Sequence, residues 1–404
     1  IRGLNHKSKG DLSSNITDLT TKTTIDSLSV KSGGMQYLKN NKLDAKIDVK
    51  ADFINNKFTL KENEIALNDL LLKADGWLQM NEKDMDMDLK FSSPNSKFKD
   101  LFSIIPGAYI SNYKDVSVDG TFNFNGFAKG KYDGIKSIFP AVEFNTEVIN
   151  GKVKYPTLPM SISNIAMKSS VKMPGGSNLD LLTVQVPKLN FIIGKNPIDI
   201  VFNLKTPMSN PDVDAKAKGT LNLSELSMAF PLEGVQTIVG LIQADVSLKA
   251  KQSQIEQKQY EQVNCNGTMS ITGLRYQAKG KPLVAVNNLS MSFSPSFVNI
   301  PYIDVVFGKS DIKGSGKLDN ILAYFSPKKT LIGSFNVRCN LIDMNEWIEP
   351  APAQPVVQQD APAAGSTARP FDRFDFTLDA ASNKIVYDKY ELKNVVAKGN
   401  ATSN

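Results

Sequence analysis

The sequence predicts a mainly β protein, an elongated antiparallel sheet made of repeated hairpin units with a few short capping helices. Three observations carry that reading. Apolar residues recur at every second position over long stretches, the period of a half-buried strand. A four-residue pattern, aliphatic–any–Asn/Asp–aliphatic, recurs as Leu67-Asn68-Asp69-Leu70, Ile162-Ser163-Asn164-Ile165, Val286-Asn287-Asn288-Leu289 and Leu392-Lys393-Asn394-Val395. Its copies lie roughly a hundred residues apart, which suggests one large β-unit repeated along the chain. Turn-forming glycine pairs then break the alternating runs about every ten residues, as hairpins in sequence order would require.

The alternation is cleanest where Val116, Val118, Gly120, Phe122 and Phe124 face one way and Ser117, Asp119, Thr121, Asn123 and Asn125 the other. The same rhythm places Ile200, Phe202 and Leu204 together, then Leu221 and Leu223, Val246 and Leu248, Met269 and Ile271, and Met291 and Phe293. Phe335, Val337 and Leu341, and finally Phe374, Phe376 and Leu378, complete the series. Turns are expected at Asp75-Gly76, Asp119-Gly120, Asn125-Gly126, Asn150-Gly151, Asn266-Gly267, Lys279-Gly280 and Lys313-Gly314.

Short helices are expected where an apolar face at helical spacing meets a stop signal. Ser96 would cap one carrying Phe98, Leu101, Phe102 and Ile105, ended by Pro106-Gly107. Smaller ones fall at Ser224 to Phe230, Asp319 to Phe325 and Asp343 to Ile348, with a polar helix or extended excursion over Gln252 to Gln262. These faces are short, so each reads as a lid over a sheet end. From Glu349 to Pro370 the chain turns Pro/Ala/Gln-rich and loses its apolar period, the mark of a loop or linker. The expected organisation is therefore a continuous β-groove over 1–348, a linker over 349–370, and the sheet resuming over 371–404.

Composition permits a real core: of 404 residues, 41% are hydrophobic and 22% charged. The net charge of +6 is scattered along strands, as in Lys46-Ile47-Asp48-Val49-Lys50, and is read as a solvated face rather than a nucleic-acid patch. Cys265 and Cys339 lie several strands apart, which favours two buried thiols over a disulfide. No apolar run is long enough for a spanning helix. The chain opens at Ile1 without an initiator Met and stops soon after a turn signal, so it is expected to be a piece of a longer protein.

Catalytic equipment is missing from the pattern. His6 is the only histidine, which argues against a histidine triad, metal cage or general base. No phosphate-cradling glycine loop precedes a helix, and Gly314-Ser315-Gly316 belongs to a strand context. Asp84, Asp86 and Asp88 would project from one side of a strand about 6.5–7 Å apart, which does not build a calcium cage. Trp77, Trp347 and the phenylalanines are not interleaved with arginine as a base-stacking platform. The apolar strand faces keep two readings, a closed sandwich core or an open groove, and the residues alone favour the core.

Three stretches resemble the large AsmA-like proteins of Gram-negative envelopes, members of the repeating β-groove class. One runs from Leu89-Lys90-Phe91 through Lys99-Asp100-Leu101-Phe102-Ser103-Ile104-Ile105-Pro106 to Val118-Asp119-Gly120-Thr121-Phe122 and Ala128-Lys129-Gly130. The second is Asn150-Gly151-Lys152-Val153-Lys154-Tyr155-Pro156 with Leu158-Pro159 and Ile162-Ser163-Asn164-Ile165. The third runs from Gly267-Thr268-Met269 through Ser315-Gly316-Lys317-Leu318-Asp319-Asn320-Ile321-Leu322 to Leu341-Ile342-Asp343-Met344-Asn345-Glu346-Trp347. The resemblance implies a curved, taco-like β-groove in the periplasm, held to the inner membrane by an N-terminal anchor that this chain does not contain. It also implies a role in phospholipid movement and outer-membrane homeostasis, with no catalytic motif and no cofactor to carry over. With it, the groove becomes the better reading of the apolar faces.

The expected partners are thus phospholipid or other lipid acyl chains, a membrane through the missing anchor, and envelope proteins, with no nucleic acid and no metal. The expected groove lining is Phe122, Phe124, Phe202, Leu204, Leu221, Leu223, Val246, Leu248, Met291, Phe293, Phe335, Val337, Phe376 and Leu378. The rival is a scaffold that affects outer-membrane protein localisation by binding partners at a sheet edge. Phe122→Asp and Phe293→Asp separate core from groove: loss of folding, read by circular dichroism, marks a core position, and loss of bound lipid in a folded chain marks a groove position. A substitution that changes neither would mean the wrong face has been chosen.

Overall fold

The computed structural model describes residues 1–11, 13–32, 35–102, 116–155, 159–229, 232, 234–321, 330–346 and 373–403. The chain is mainly β, as expected, and its backbone contacts divide it into two units. One comprises Ile1–Ala215 with Met228–Phe230, the other Lys216–Ser227 with Pro231–Asn404.

In the first unit the strands are β1 (Arg2–Lys9), β2 (Ile16–Ser32), β3 (Met35–Asp52), β4 (Lys57–Leu67), β5 (Leu70–Met80), β6 (Met85–Lys97), β7 (Ser117–Tyr132), β8 (Ala141–Lys154), β9 (Ile162–Met173), β10 (Thr183–Ile193) and β11 (Asn196–Lys205). Each pairs antiparallel with the next in sequence. β12 (Asp212–Asn222) straddles the boundary. The second unit holds β13 (Val235–Lys251), β14 (Asn264–Ala278), β15 (Val284–Phe293), β16 (Phe297–Phe307), β17 (Ser310–Asp319), β18 (Leu331–Asp343), β19 (Phe374–Tyr387) and β20 (Tyr390–Thr402). Neighbours there are again antiparallel, except that β18 and β19 run parallel. Among the described residues, purely antiparallel pairing therefore fails at β18–β19. A parallel partner needs a long return connection, and residues 344–373, which include the Pro/Ala-rich 349–370, supply it; most of them lie outside the described residues.

The helices are short. α1 (Phe98–Phe102) falls inside the expected helix, although Ser96 stays in β6 and the backbone N–H of Lys97 reaches the Asp100 carboxylate at 3.2 Å instead. α2 (Leu223–Ala229) begins one residue early, so Leu223 opens a helix and does not continue a strand. α3 (Gln252–Glu256) and a 3-10 turn at Tyr260–Gln262 make up the Gln-rich excursion, and another 3-10 turn covers Met344–Glu346. The expected helix over Asp319 to Phe325 lies largely outside the described residues.

The glycine pairs need correction. Of those expected as turns, only Lys279-Gly280 lies in one; the others sit inside β5, β7, β8, β14 and β17. There, glycine answers close backbone approach. A Cβ on Gly76 would stand 1.9 Å from the Asp88 carbonyl oxygen, and one on Gly314 2.0 Å from that of Asn336. Two-residue turns instead occupy Asn68-Asp69, Gly194-Lys195, Gly308-Lys309 and Asp388-Lys389, each opened by a residue with φ of 52–62°.

The Asn pattern has a different meaning from a unit boundary. Its first copy is the β4–β5 hairpin, with Leu67 opposite Leu70. The second and third are places where β9 and β15 carry one extra residue against a neighbour. The apolar residues there step by three, from Ile162 to Ile165 and from Val286 to Leu289, and the bulge returns them to the same face. In the fourth, Asn394 takes φ of 52° within β20 with no change of register.

Each unit is a single layer of strands. Fully buried apolar side chains are few among the described residues. A small closed core forms where α1 lies against β6 and β7: Leu70, Phe98, Phe122 and Val148 are buried together, with Leu101, Val118, Ile165 and Met167 packed against them. Phe122→Asp should therefore destabilise the chain by at least ~3 kcal/mol, through lost burial and an unpaired charge. Gly76→Ala should lose about 2 kcal/mol or more, because neither the backbone angle nor the space accepts a methyl group. Urea midpoints measure both, and an unchanged midpoint for either would contradict these placements.

Candidate functional site: an uncharged sheet face

Directly opposed residues on paired strands point to the same side of a sheet, so the register sorts the candidates by face. In the second unit one row of opposed partners runs Val246, Gly267, Phe293, Val298, Leu318, Gly333, Phe376 and Ala401, crossing β13 to β20. Beside it lie Leu248 with Cys265, Met291 with Met269, Val337 with Gly314 and Ala380, and Phe335 with Gly316 and Leu378. Every expected lining residue on these strands thus shares one face, and no charged residue stands in the row. Most are half-buried; Leu248 is 36% exposed.

In the first unit Phe122 opposes Val148, which opposes Met167, then Leu189 and Ile200. Ile200, Phe202 and Leu204 alternate along β11, so this face too gathers its candidates, with Phe124 stacked on Phe144 at 5.7 Å. Phe122, however, is 3% exposed beneath α1 and belongs to the closed core. Leu223, on α2, is buried as well, and Leu221 lies near the end of β12. The residues the sequence reading passed over are Phe144 and the glycines opposite the rings. The signal lies in the pairs Asn125-Gly126 and Asn266-Gly267, which have the composition of turns but sit inside β7 and β14.

The other face is built from opposed charges. Lys129 meets Asp88 at 2.8 Å, Lys131 meets Asp84 at 2.7 Å, and Lys168 and Lys172 meet Glu147 and Glu143 at 3.1 Å each. In the second unit Lys313 pairs with Asp304 at 3.4 Å, and Asp379 takes both Arg338 and Lys398. The Asp84-Asp86-Asp88 run is thereby occupied by lysines of β7. His6 bonds Thr23 and Ser8 on the exposed β1–β2 ribbon. Cys265 and Cys339 are free thiols, and burial, with Asp311 nearby, pushes the Cys339 thiol up.

Among the described residues, a hollow of about 250 Å³ on the apolar face is lined by Val305, Phe307 and Ile312 with Ser310 and Glu346, and two more open elsewhere. A cavity of about 630 Å³ lies on the charged side among Asp75, Asp88, Lys90, Phe127 and Glu143, and one of about 450 Å³ among Asn299, Lys317, Ser334 and Asp379. A twisted sheet is saddle-shaped and so is hollow on both faces along different directions. The chemistry of the faces is the better guide: the charged hollow is lined by groups that largely satisfy one another, whereas the apolar face is an open surface. Against protein-family models, curated proteins and solved structures, the chain finds no match.

Hydrogen bonds from Lys131 and then Asn81 hold the Asp84 carboxyl below its ordinary 3.8, and bonds from Asn145 and then Lys172 hold Glu143 below its ordinary 4.5. Carboxyls lowered in the folded state contribute stability above their ordinary values, and that contribution is lost as pH falls through the folded ones. The urea midpoint should be level from neutral pH down to those ordinary values and then fall, with a shallower fall in Lys131→Met. A midpoint that instead rises in acid would contradict the pairing.

Proposed function

We propose that this chain binds and conducts phospholipid acyl chains along its apolar sheet face, without catalysis. The observation that carries the reading is the uncharged row crossing β13 to β20 in direct register, opposite a face of lysine–carboxylate pairs. Eight strands at about 4.8 Å spacing give such a row a span of roughly 34 Å. Transfer from water is worth about 0.8 kcal/mol per methylene, so contact along a whole chain would offset much of the penalty of lifting it from a bilayer. Chemically similar neighbouring sites would let the chain move from one to the next with no bond made or broken. The AsmA-like resemblance supports the same reading and adds its setting: a periplasmic module, anchored in the inner membrane elsewhere in the protein, serving outer-membrane biogenesis.

A second reading is an envelope scaffold that binds proteins through backbone at a sheet edge; within this chain β20 pairs with β19 and its side chains are exposed along nearly all its length. Native mass spectrometry of the purified chain decides between them. We expect co-purifying phospholipid, and a severalfold loss of it in Phe293→Asp with folding retained. A lipid-free chain whose partner binding ignores Phe293→Asp but maps to the β20 backbone would sink the conduit and leave the scaffold.

A further inference from the structure

Phenylalanine rings on the apolar face lean over glycines. A Cβ placed on Gly267 would lie 3.1 Å from the Phe293 ring, and one on Gly316 3.0 Å from Phe335. On Gly333 it would meet Phe335 at 2.7 Å and Phe376 at 2.8 Å. The same arrangement sets Phe144 over Gly126 in the first unit, at 2.5 Å. Side chains on a strand ordinarily stand away from the sheet, and a face that packs on a second sheet needs them to interdigitate. Rings lowered into the spaces of missing side chains leave a face with fewer knobs for a protein layer to grip. They suit a pliant, uncharged occupant.

Resting on the conduit reading, we infer that Gly316 and Gly333 are its specificity-determining positions, and that the occupant is an unbranched acyl chain lying across the lowered rings of Phe293, Phe335 and Phe376. These glycines fix the clearance above the floor. Neither has a backbone angle closed to alanine, and at both the nearest atoms are ring carbons, so a methyl group there acts by pushing a ring up into the path of the chain; at Gly267 it would instead meet the Asp245 carbonyl oxygen at 2.6 Å.

The test uses the whole chain and a phosphatidylglycerol carrying pyrene at the end of one acyl chain, offered in vesicles. Gly333→Ala should lower capture roughly tenfold, the scale of a misplaced methyl group in an apolar site. Gly333→Ala combined with Phe335→Leu and Phe376→Leu should restore capture, since no ring is left to be lifted. Ser334→Ala, on the opposite face of β18, should leave capture unchanged. Equal capture by the wild type and Gly333→Ala, or failure of the triple variant to recover, overturns the inference while the conduit stands. No capture by the wild type overturns both. Because the variants could lose their fold, the wild type is also tested with a phosphatidylglycerol spin-labelled near an acyl terminus. Its label should broaden the nuclear resonance signals of Phe293, Phe335 and Phe376 and spare Tyr302 on the charged face; equal broadening of both sets overturns the assignment.

Discussion

Everything in these strand ladders depends on keeping side-chain parity across each pair of strands. Because the period of a strand is two, a slip of one residue would carry a whole apolar set into the charged face. The chain contains many places where the apolar sequence itself slips, and a bulge answers each of the clearest. In β4 the inward residues go from Leu60 to Ile65, in β10 from Val186 to Leu189, and in β16 from Ile300 to Ile303, and in each strand one extra residue is accommodated there. The slips begin at Lys61, Pro187 and Pro301, and the two-residue turns at Asn68, Gly194 and Gly308 follow seven residues later in every case. Pro187 and Pro301 fit because a bulge releases them from the ladder.

Parity also explains how a single layer can be stable without a thick core. The few fully buried apolar side chains, such as those beneath α1, cannot alone hold so many strands. Backbone ladders supply continuity, and the half-buried apolar rows supply contact between neighbours on one side. The opposed charges add little energy each, since exposed ion pairs are worth at most about 1 kcal/mol. Their larger effect is selective. With Asp86 opposite Lys131 and Asp88 opposite Lys129, a shifted alignment would lose these pairs and also bring charge against the apolar rows.

The fold class was legible because alternation survives in nearly every strand, and the gathering of Val246, Phe293, Phe335 and Phe376 on one face follows from counting by two. What the sequence concealed was the local meaning of glycine. Asp75-Gly76 and Lys313-Gly314 have the composition of turns, yet their glycines are dictated by a neighbouring backbone or ring that only the paired structure brings near. The Asn pattern was visible, and its three-residue apolar step was the physical clue that it marks bulges as readily as turns. Phe122 could not be separated from Phe293 by pattern, because burial beneath α1 is a tertiary event.

The parallel pair shows which constraint ranks highest. The other consecutive strands paired in the second unit are separated by shorter stretches of chain, but β18 and β19 are joined only through residues 344–373. β18 is 13 residues long, or about 43 Å, and that connection is ample to return over it. No tight turn fixes the register, yet Leu331 meets Phe374, Gly333 meets Phe376 and Phe335 meets Leu378, while Ser334 meets Thr377 and Asn336 meets Asp379. A shift by one would set Phe335 against Asp379 or Thr377. Where the chain leaves alignment free, the chemistry of the two faces sets it, and the apolar row passes through the junction without a break.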